Sequence, residues 1–365
     1  MQSIQVVEPT LEGYSGHCHS LVTSLCHALD GVPIDLWSAR GSEGMNFASH
    51  VANHPKFRRR IRLLQALLLY RRLLRSDAPV VVTTARRSDL MLFDLAAGGQ
   101  ISRQRVFLYF HWLRDTPAKL RSLRKLAKRQ PHVVIFGTTA SVVDIFKRCG
   151  FAHVFLLPYP SPPASNNGDP VAFRQLLYAG AARQDKGFSL IADLVELLAR
   201  QGARIPIAVQ VSADHYGKVD AQTRSDIARL QAAGYAPLTL TPQTLTPQQY
   251  SALFPGSICL QPYDRDEFRD RVSGVTLDAL AHACPIVATA GTWSAELIKP
   301  FGAGVELYTM SAAGLLEAAG NIERDYAVFQ AGARAAGQAQ NRKSWAPLLE
   351  LLPRATAGQG VESKA

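Results

Sequence analysis

SICLQPYDRDEFRDRVSGVTLDALAHACPIVATAGTW, residues 257–293, sets two β-type runs on either side of a helical one. Ile258 to Leu260 is a short apolar run, followed by Gln261-Pro262-Tyr263 and a highly charged loop. Ser273-Gly274 closes that loop, and Val275 to His282 read as helix, with Val275, Leu277 and Leu280 able to face inward. Pro285 stops the helix, because it lacks an N–H and crowds the preceding turn. Ile286 to Thr289 is then a second strand. The order strand, loop, helix, strand puts the loop where open α/β sheets bind ligands. Asp270 and Asp278, with seven residues between them, stand on either side of Ser273 and Gly274. Backbone N–H groups left over at a helix N-terminus favour an anion such as phosphate. A carboxylate on each side suits a ligand whose hydroxyls flank a phosphate, as in nucleotide sugars. A plain strand-helix-strand unit with an acidic surface loop is the alternative.

A second segment supplies the opposite charge. LLYAGAARQDKGFSLIADLVELL, from Leu176, runs a strand into Gly180, then Arg183 and Lys186-Gly187, then an amphipathic helix. Two cations in a strand-to-helix turn suit a diphosphate, Arg gripping it bidentately and Lys adding a compact charge. A basic surface turn is the alternative, and it weakens because the turn falls where the acidic stretch needs it. Residues 158–170, PYPSPPASNNGDP, can be neither helix nor central strand and read as a linker. Strand-helix alternation runs before the linker and restarts after it. Two α/β domains follow, at 1–160 and 161–340, with a terminal helix and loose tail at 341–365.

Together these segments resemble the donor-binding signatures of glycosyltransferase family 4, which has the GT-B fold. The first signature is an acid, seven residues, an acid, then a small residue, Gly-Pro and a β-branched strand. This chain has Asp at both acidic places instead of Glu, and Cys284 where Gly is usual. Arg271-x-Ser273-Gly274, with Tyr263 ahead, is similar to a subgroup of bacterial surface-polysaccharide transferases. The second signature, Gly180 to Lys186-Gly187, carries its Arg in the fourth place, as in one branch, with Ala181 at the commoner second place.

The resemblance implies two Rossmann-like domains facing each other across a cleft, sugar transfer with retention, and no required metal or cofactor. It implies that Arg183 and Lys186 stabilise the leaving diphosphate with the N–H groups near Ser273 and Gly274, beside Gly180 and Val275. Asp270 would hold donor-sugar hydroxyls and Asp278 the ribose. Arg271 would reach the phosphates or merely pair with Asp270. Leu245, in a loop before the helix start Thr246-Pro247, is a candidate for the base. In the first domain, Gly16 and His17 are candidates by position, and His111, after the strand 105–110, is one for the sugar or acceptor. A packed histidine bonded to backbone is the alternative for His111. His17 and His19 show no third metal ligand at useful spacing and read as polar loop residues.

The 365 residues suffice for two cores, and 47% hydrophobic against 19% charged residues excludes a disordered chain. Five scattered cysteines without a C-x-x-C pair read as reduced thiols. Residues 1–160 carry a net +12 and residues 161–365 a net −1, so whatever attracts the positive charge meets the first half. The segment Lys56 to Arg75, KFRRRIRLLQALLLYRRLLR, reads as one long helix. Its leucines exceed one packing face, so it is either a crossover helix with a basic side or a helix lying on an anionic bilayer. AKLRSLRKLAKRQ is a second basic helix. Neither is interleaved with stacking aromatics, so no nucleic-acid partner is expected. Met1 leads directly into strand-like IQVVEP, and no run reaches the ~18 apolar residues of a membrane span. The expectation is a cytoplasmic protein, free or on the inner face of the membrane, acting on a sugar or lipid-linked acceptor. The missing G-x-G-x-x-G disfavours an NAD-dependent oxidoreductase. A nucleotide-sugar epimerase of the same fold and a non-catalytic basic binding protein stay open.

Overall fold

The structure, a computed structural model, describes residues 3–14, 17–160, 170–212, 219–243, 245–341 and 345–352. The chain forms two compact units, one of residues 1–160 with 344–365 and one of residues 161–343.

In the first unit the elements are β1 (Ile4–Glu8), α1 (His17–Ala28), β2 (Ile34–Ala39), β3 (Val51–Phe57), α2 (Arg62–Leu73), β4 (Val80–Val82), α3 (Arg87–Ala97), β5 (Val106–Phe110), α4 (Pro117–Arg129), β6 (Val134–Gly137), α5 (Ala140–Arg148) and β7 (His153–Leu156). All seven strands are parallel, in the order β3-β2-β1-β4-β5-β6-β7. The direction of travel reverses between β1 and β4. The inner strands are buried along their whole length and mostly apolar, as strands covered on both faces are, with Gln5 and Glu8 of β1 the polar exceptions. Helices α2 to α5 bury Leu69, Phe93, Leu123 and Phe146 into one core with β4, β5 and β6.

The helix expected over Lys56 to Arg75 is shorter than its apolar pattern suggests. Lys56 and Phe57 end the edge strand β3, a 3-10 turn covers Arg59–Ile61, and α2 begins only at Arg62. The strand VANHPKF lacks a β pattern, and Pro55 is tolerated there because an edge strand has an unpaired side.

The second unit contains β8 (Gln175–Tyr178), α6 (Phe188–Arg200), β9 (Ile207–Gln210), α7 (Ala221–Ala232), β10 (Leu238–Thr241), α8 (Pro247–Ser251), β11 (Ser257–Gln261), α9 (Arg265–Phe268), α10 (Gly274–Ala281), β12 (Ile286–Thr289), α11 (Trp293–Ile298), β13 (Gly304–Leu307), α12 (Ala312–Arg324) and α13 (Tyr326–Asn341). Its parallel sheet has the order β10-β9-β8-β11-β12-β13, reversing between β8 and β11. One face is covered by α6 and α12 through Phe188, Ile191, Leu194 and Leu315, the other by α10, α11 and α13 through Leu280, Ile298 and Ala333. The helical run after β13 is broken into α12 and α13 at Asp325, whose φ of −114° and ψ of 34° are non-helical. Gly337 lets α13 touch α10, since a β-carbon there would lie 2.3 Å from the Leu280 carbonyl oxygen. A short last helix, α14 (Ala346–Leu349), belongs to the first unit, where Trp345 donates Nε1–H to Ser24 Oγ at 3.0 Å.

At the β8/β11 reversal two loops leave neighbouring strand ends together. Gly187 has φ +70°, and a β-carbon on it would lie 2.0 Å from the Pro262 carbonyl oxygen. Only glycine lets the loop after β8 pass this close to the loop after β11. We expect Gly187→Ala to destabilise the second unit by about 3 kcal/mol, from the left-handed backbone and the displaced loop together. Urea unfolding of the full chain measures this, and a loss below about 1 kcal/mol would contradict the close approach.

Candidate active site

The two loops assemble a compact charged group. Gly180, with φ +88°, lies two residues past the end of β8; a β-carbon there would lie 3.0 Å from Lys186 Nζ and 3.1 Å from Val275 Cγ2. The turn after β8 and the first turn of α10 therefore meet at Gly180. Lys186 Nζ sits 5.7 Å from the centre of the Tyr263 ring, and the Arg271 guanidinium 4.8 Å from that of Phe268. The two rings pack at 4.4 Å, giving a dry aromatic floor with a cation over each half. Thr289 Oγ1 donates to the Tyr263 carbonyl at 2.7 Å and pins this loop to the end of β12.

Asp185 joins the two loops electrostatically. Its Oδ2 accepts from Arg183 Nη2 and, at 3.3 Å, from Arg271 Nη1, while its buried Oδ1 has no partner among the described residues. Arg183 and Arg271 thus meet on one carboxylate, in the same turn and loop that hold Lys186 over Tyr263. Burial pulls the Lys186 ammonium down to about 8, and Arg183 pushes the same way. Burial and then Arg183 also lower Arg271. Both shifts have the sense expected of cations crowded without enough counter-charge, the electrostatic condition of an anion site.

The helix start adds to it. Ser273 caps α10: its Oγ accepts from the Thr276 N–H at 3.4 Å and lies 3.4 Å from the Tyr263 hydroxyl. The Thr276 and Leu277 N–H groups return to Ser273, whereas those of Gly274 and Val275 have no acceptor among the described residues. Underneath, Thr276 Oγ1 donates to Gln261 Oε1 at 2.8 Å, tying α10 to the end of β11. Gln184, between Arg183 and Lys186, is held through Nε2 by Thr223 Oγ1 and by the buried Asp226, each at 3.0 Å.

Asp278 lies one turn further along α10. Burial raises its carboxyl to about 6, opposed by the Tyr250 hydroxyl, which donates to Oδ2 at 3.2 Å, and then by Lys186. Tyr250 ends the α8 turn that Leu245 precedes. That turn starts with a capping box between Thr246 and Gln249, and Leu245 itself is half-buried. Asp270 is placed differently. More than a third exposed, it faces Arg269 at 3.6 Å, and the pairing of Arg271 with Asp270 weighed above does not form, because Arg271 turns to Asp185.

In the first unit, Gly16 lies outside the described residues, as does the side chain of His17. His111, after β5, donates Nε2–H to the Thr83 carbonyl at 2.8 Å and packs edge-on to Tyr109 and Tyr159. At this unit's own strand reversal the fully buried Glu8 accepts from the hydroxyls of Thr10, Thr83 and Thr84 at 2.6–2.8 Å. Glu8, Asp185, Tyr250 and Phe268 were not singled out from the sequence, and Tyr263 was noted only as the residue ahead of the Arg271–Gly274 motif. Asp185 stands inside the quoted RQDKG, but nothing in the chain announces a bond to an arginine 86 residues later.

Solved structures of similar fold extend over nearly the whole chain. Sucrose-phosphate synthase from Thermosynechococcus elongatus superposes with a TM-score of 0.71 at 13% identity, over 96% of this chain and 97% of its own. HepE from Anabaena, solved with UDP and glucose, gives 0.68 at 12%, over 96% and 97%. The UDP-forming α,α-trehalose-phosphate synthase from Burkholderia xenovorans, solved with glucose-6-phosphate, gives 0.68 at 12%, over 97% and 100%. The fold is GT-B. No protein-family model matches the sequence, and no curated protein matches it either. Open doubly wound sheets bind ligands at the point where the strand order reverses, which in the second unit lies between β8 and β11. Among the described residues no three His, Cys, Asp or Glu side chains form a metal-binding group, and no helix is long and apolar enough to cross a membrane.

Asp278 has a testable consequence for stability. Its folded pKa, about 6, exceeds the ordinary 3.8, so the folded chain holds this proton more tightly than the unfolded one. Its contribution is most favourable below the unfolded value and is lost as pH rises through about 6. At pH 7.5 the ionised carboxylate is a net cost that asparagine, still accepting from Tyr250, removes. Asp278→Asn should melt a few degrees (~2–4 °C) above the parent at pH 7.5 and level with it near pH 4. A lower melting point at pH 7.5 would contradict the desolvated environment.

Proposed function

We propose that this protein is a glycosyltransferase of the family 4 type, moving a sugar with retention from a nucleoside-diphosphate sugar to an acceptor hydroxyl. One observation carries the reading: at the strand reversal of the second unit, Arg183 and Arg271 share the single carboxylate of Asp185, with Lys186 and the N-terminus of α10 beside them. Such a group is short of negative charge, and a diphosphate supplies it. The UDP and sugar complexes of HepE and the glucose-6-phosphate complex of the trehalose-phosphate synthase are consistent with that ligand class.

In this reading Lys186 and Arg183, joined by Arg271, stabilise the charge that grows on the departing diphosphate, the term that usually dominates such transfers. Asp185 holds both guanidinium groups ready, so little reorganisation is needed when the donor arrives. The Gly274 and Val275 N–H groups take phosphate oxygens, and Gly180 leaves room for backbone approach. Asp278 accepts from the ribose hydroxyls and the loop at Leu245 receives the base. Asp270 takes hydroxyls of the donor sugar, His111 helps position the sugar or the acceptor, and Gly16 is assigned to the donor. The acceptor is a sugar or a lipid-linked sugar, in polysaccharide or glycolipid assembly on the inner face of a membrane. Neither a metal nor a cofactor is required.

A thermal-shift panel of UDP, GDP, ADP and CMP with their sugars tests donor binding, and no stabilisation by any would end the reading. Product analysis separates transfer from epimerisation, which would release an epimer or free sugar without an acceptor. Lys186→Ala should keep its fold and lose most of its transfer rate, on the order of 100-fold or more; near-normal turnover would remove Lys186 from the site. The free-protein values of about 6 for Asp278 and about 8 for Lys186 also set a pH profile. Below the first the ribose acceptor is neutralised, and above the second the ammonium loses its proton. Nucleoside-diphosphate affinity, measured calorimetrically, should therefore peak between them, and Lys186→Ala should abolish the alkaline limb only.

A further inference from the structure

The first unit carries an outward surface that its core does not use. From Lys56 to Arg75 there is no acidic residue, and Arg71 and Arg75 are exposed. Helix α2 buries Ala66, Leu69, Tyr70 and Leu73 against the sheet. At 100° per residue, Leu64 and Leu68 fall on the opposite side, 58% and 55% exposed, and Ile61, which ends the 3-10 turn ahead of the helix, is 47% exposed. Helix α3 packs beside α2 and continues the surface with Met91 and Leu95, 42% and 56% exposed. Its two acids point inward, Asp89 to the Tyr70 hydroxyl at 2.8 Å and Asp94 to Gln130 at 2.9 Å, so both are masked from solvent. Helix α4, on the far side of α3, buries Leu123, Leu126 and Ala127 and exposes mostly basic residues, Arg121, Arg124, Lys125 and Lys128 among them.

An apolar stripe flanked by cations, with its acids hidden, has the chemistry of a helix lying in a bilayer interface. A second copy of the chain fits it poorly: a two-fold contact sets the same patch against itself and would bring arginines against arginines. We propose that the outer face of α2 and α3 docks on an anionic bilayer. Ile61, Leu64, Leu68 and Leu95 enter the acyl boundary, and the arginines at both ends of α2 bind lipid phosphates. Helix α4, without exposed leucines, adds attraction but does not insert. This deepens the reading given under Proposed function by naming the surface that meets a lipid-linked acceptor.

The test is sedimentation of the full chain with vesicles of phosphatidylcholine alone or with ~30% phosphatidylglycerol, at low and high salt. It needs no donor and no turnover, so it stands or falls apart from the transfer reaction. The expected result is roughly tenfold greater retention on the anionic vesicles, weakened by salt. Leu64→Ser/Leu68→Ser and Arg71→Gln/Arg75→Gln, with parental melting temperatures, should each lose most of that retention. Equal retention on both vesicle types would overturn the proposal, as would parental retention by the leucine variant. A lipid-free dimer that the leucine variant dissociates in sedimentation velocity would assign the surface to a second copy instead.

Discussion

The second unit is organised by a shortage of negative charge at one point of its sheet. Arg183 and Arg271 share the Asp185 carboxylate, while Lys186 and Arg271 lie over the rings of Tyr263 and Phe268. Like charges so close in a dry place repel, and they persist only because other groups over-determine them. The Gln184–Asp226 bond holds the turn after β8, the Thr289–Tyr263 bond holds the loop after β11, and Gly187 lets the two loops touch. The same crowding that costs stability in the free chain is what an incoming polyanion would relieve.

Asp278 repeats the pattern with opposite sign. A carboxylate half-removed from water and held by one tyrosine hydroxyl is poorly compensated, and its raised pKa measures the deficit. Glu8, fully buried at the strand reversal of the first unit, accepts from three threonine hydroxyls where Asp278 accepts from one tyrosine hydroxyl.

Much of the fold was legible along the chain because parallel strands buried on both faces read as short apolar runs: QVV, VVV, VFLYF, VIFG and IVAT are all strands. The edge strand β3 was not, since VANHPKF packs on one side only and its proline breaks no ladder there. For the same reason the basic segment after it looked like one helix, when its first residues belong to the strand and to a 3-10 turn. The break at Asp325 was hidden because Ala, Leu, Glu and Gln on both sides favour helix alike.

Read alone, the chain determined its class, α/β with two doubly wound units, and the two turns whose glycines, cations and acids define the candidate site. These are local matters: strand propensity, helix starts and backbone conformations that glycine supplies. Partnership was decided by tertiary structure. Arg271 turns to Asp185 and leaves Asp270 with Arg269, Tyr250 reaches Asp278, and His111 is anchored to the Thr83 carbonyl. Each of these choices depends on which strand ends lie side by side, and strand order is a property of the folded sheet that no short segment of the chain contains.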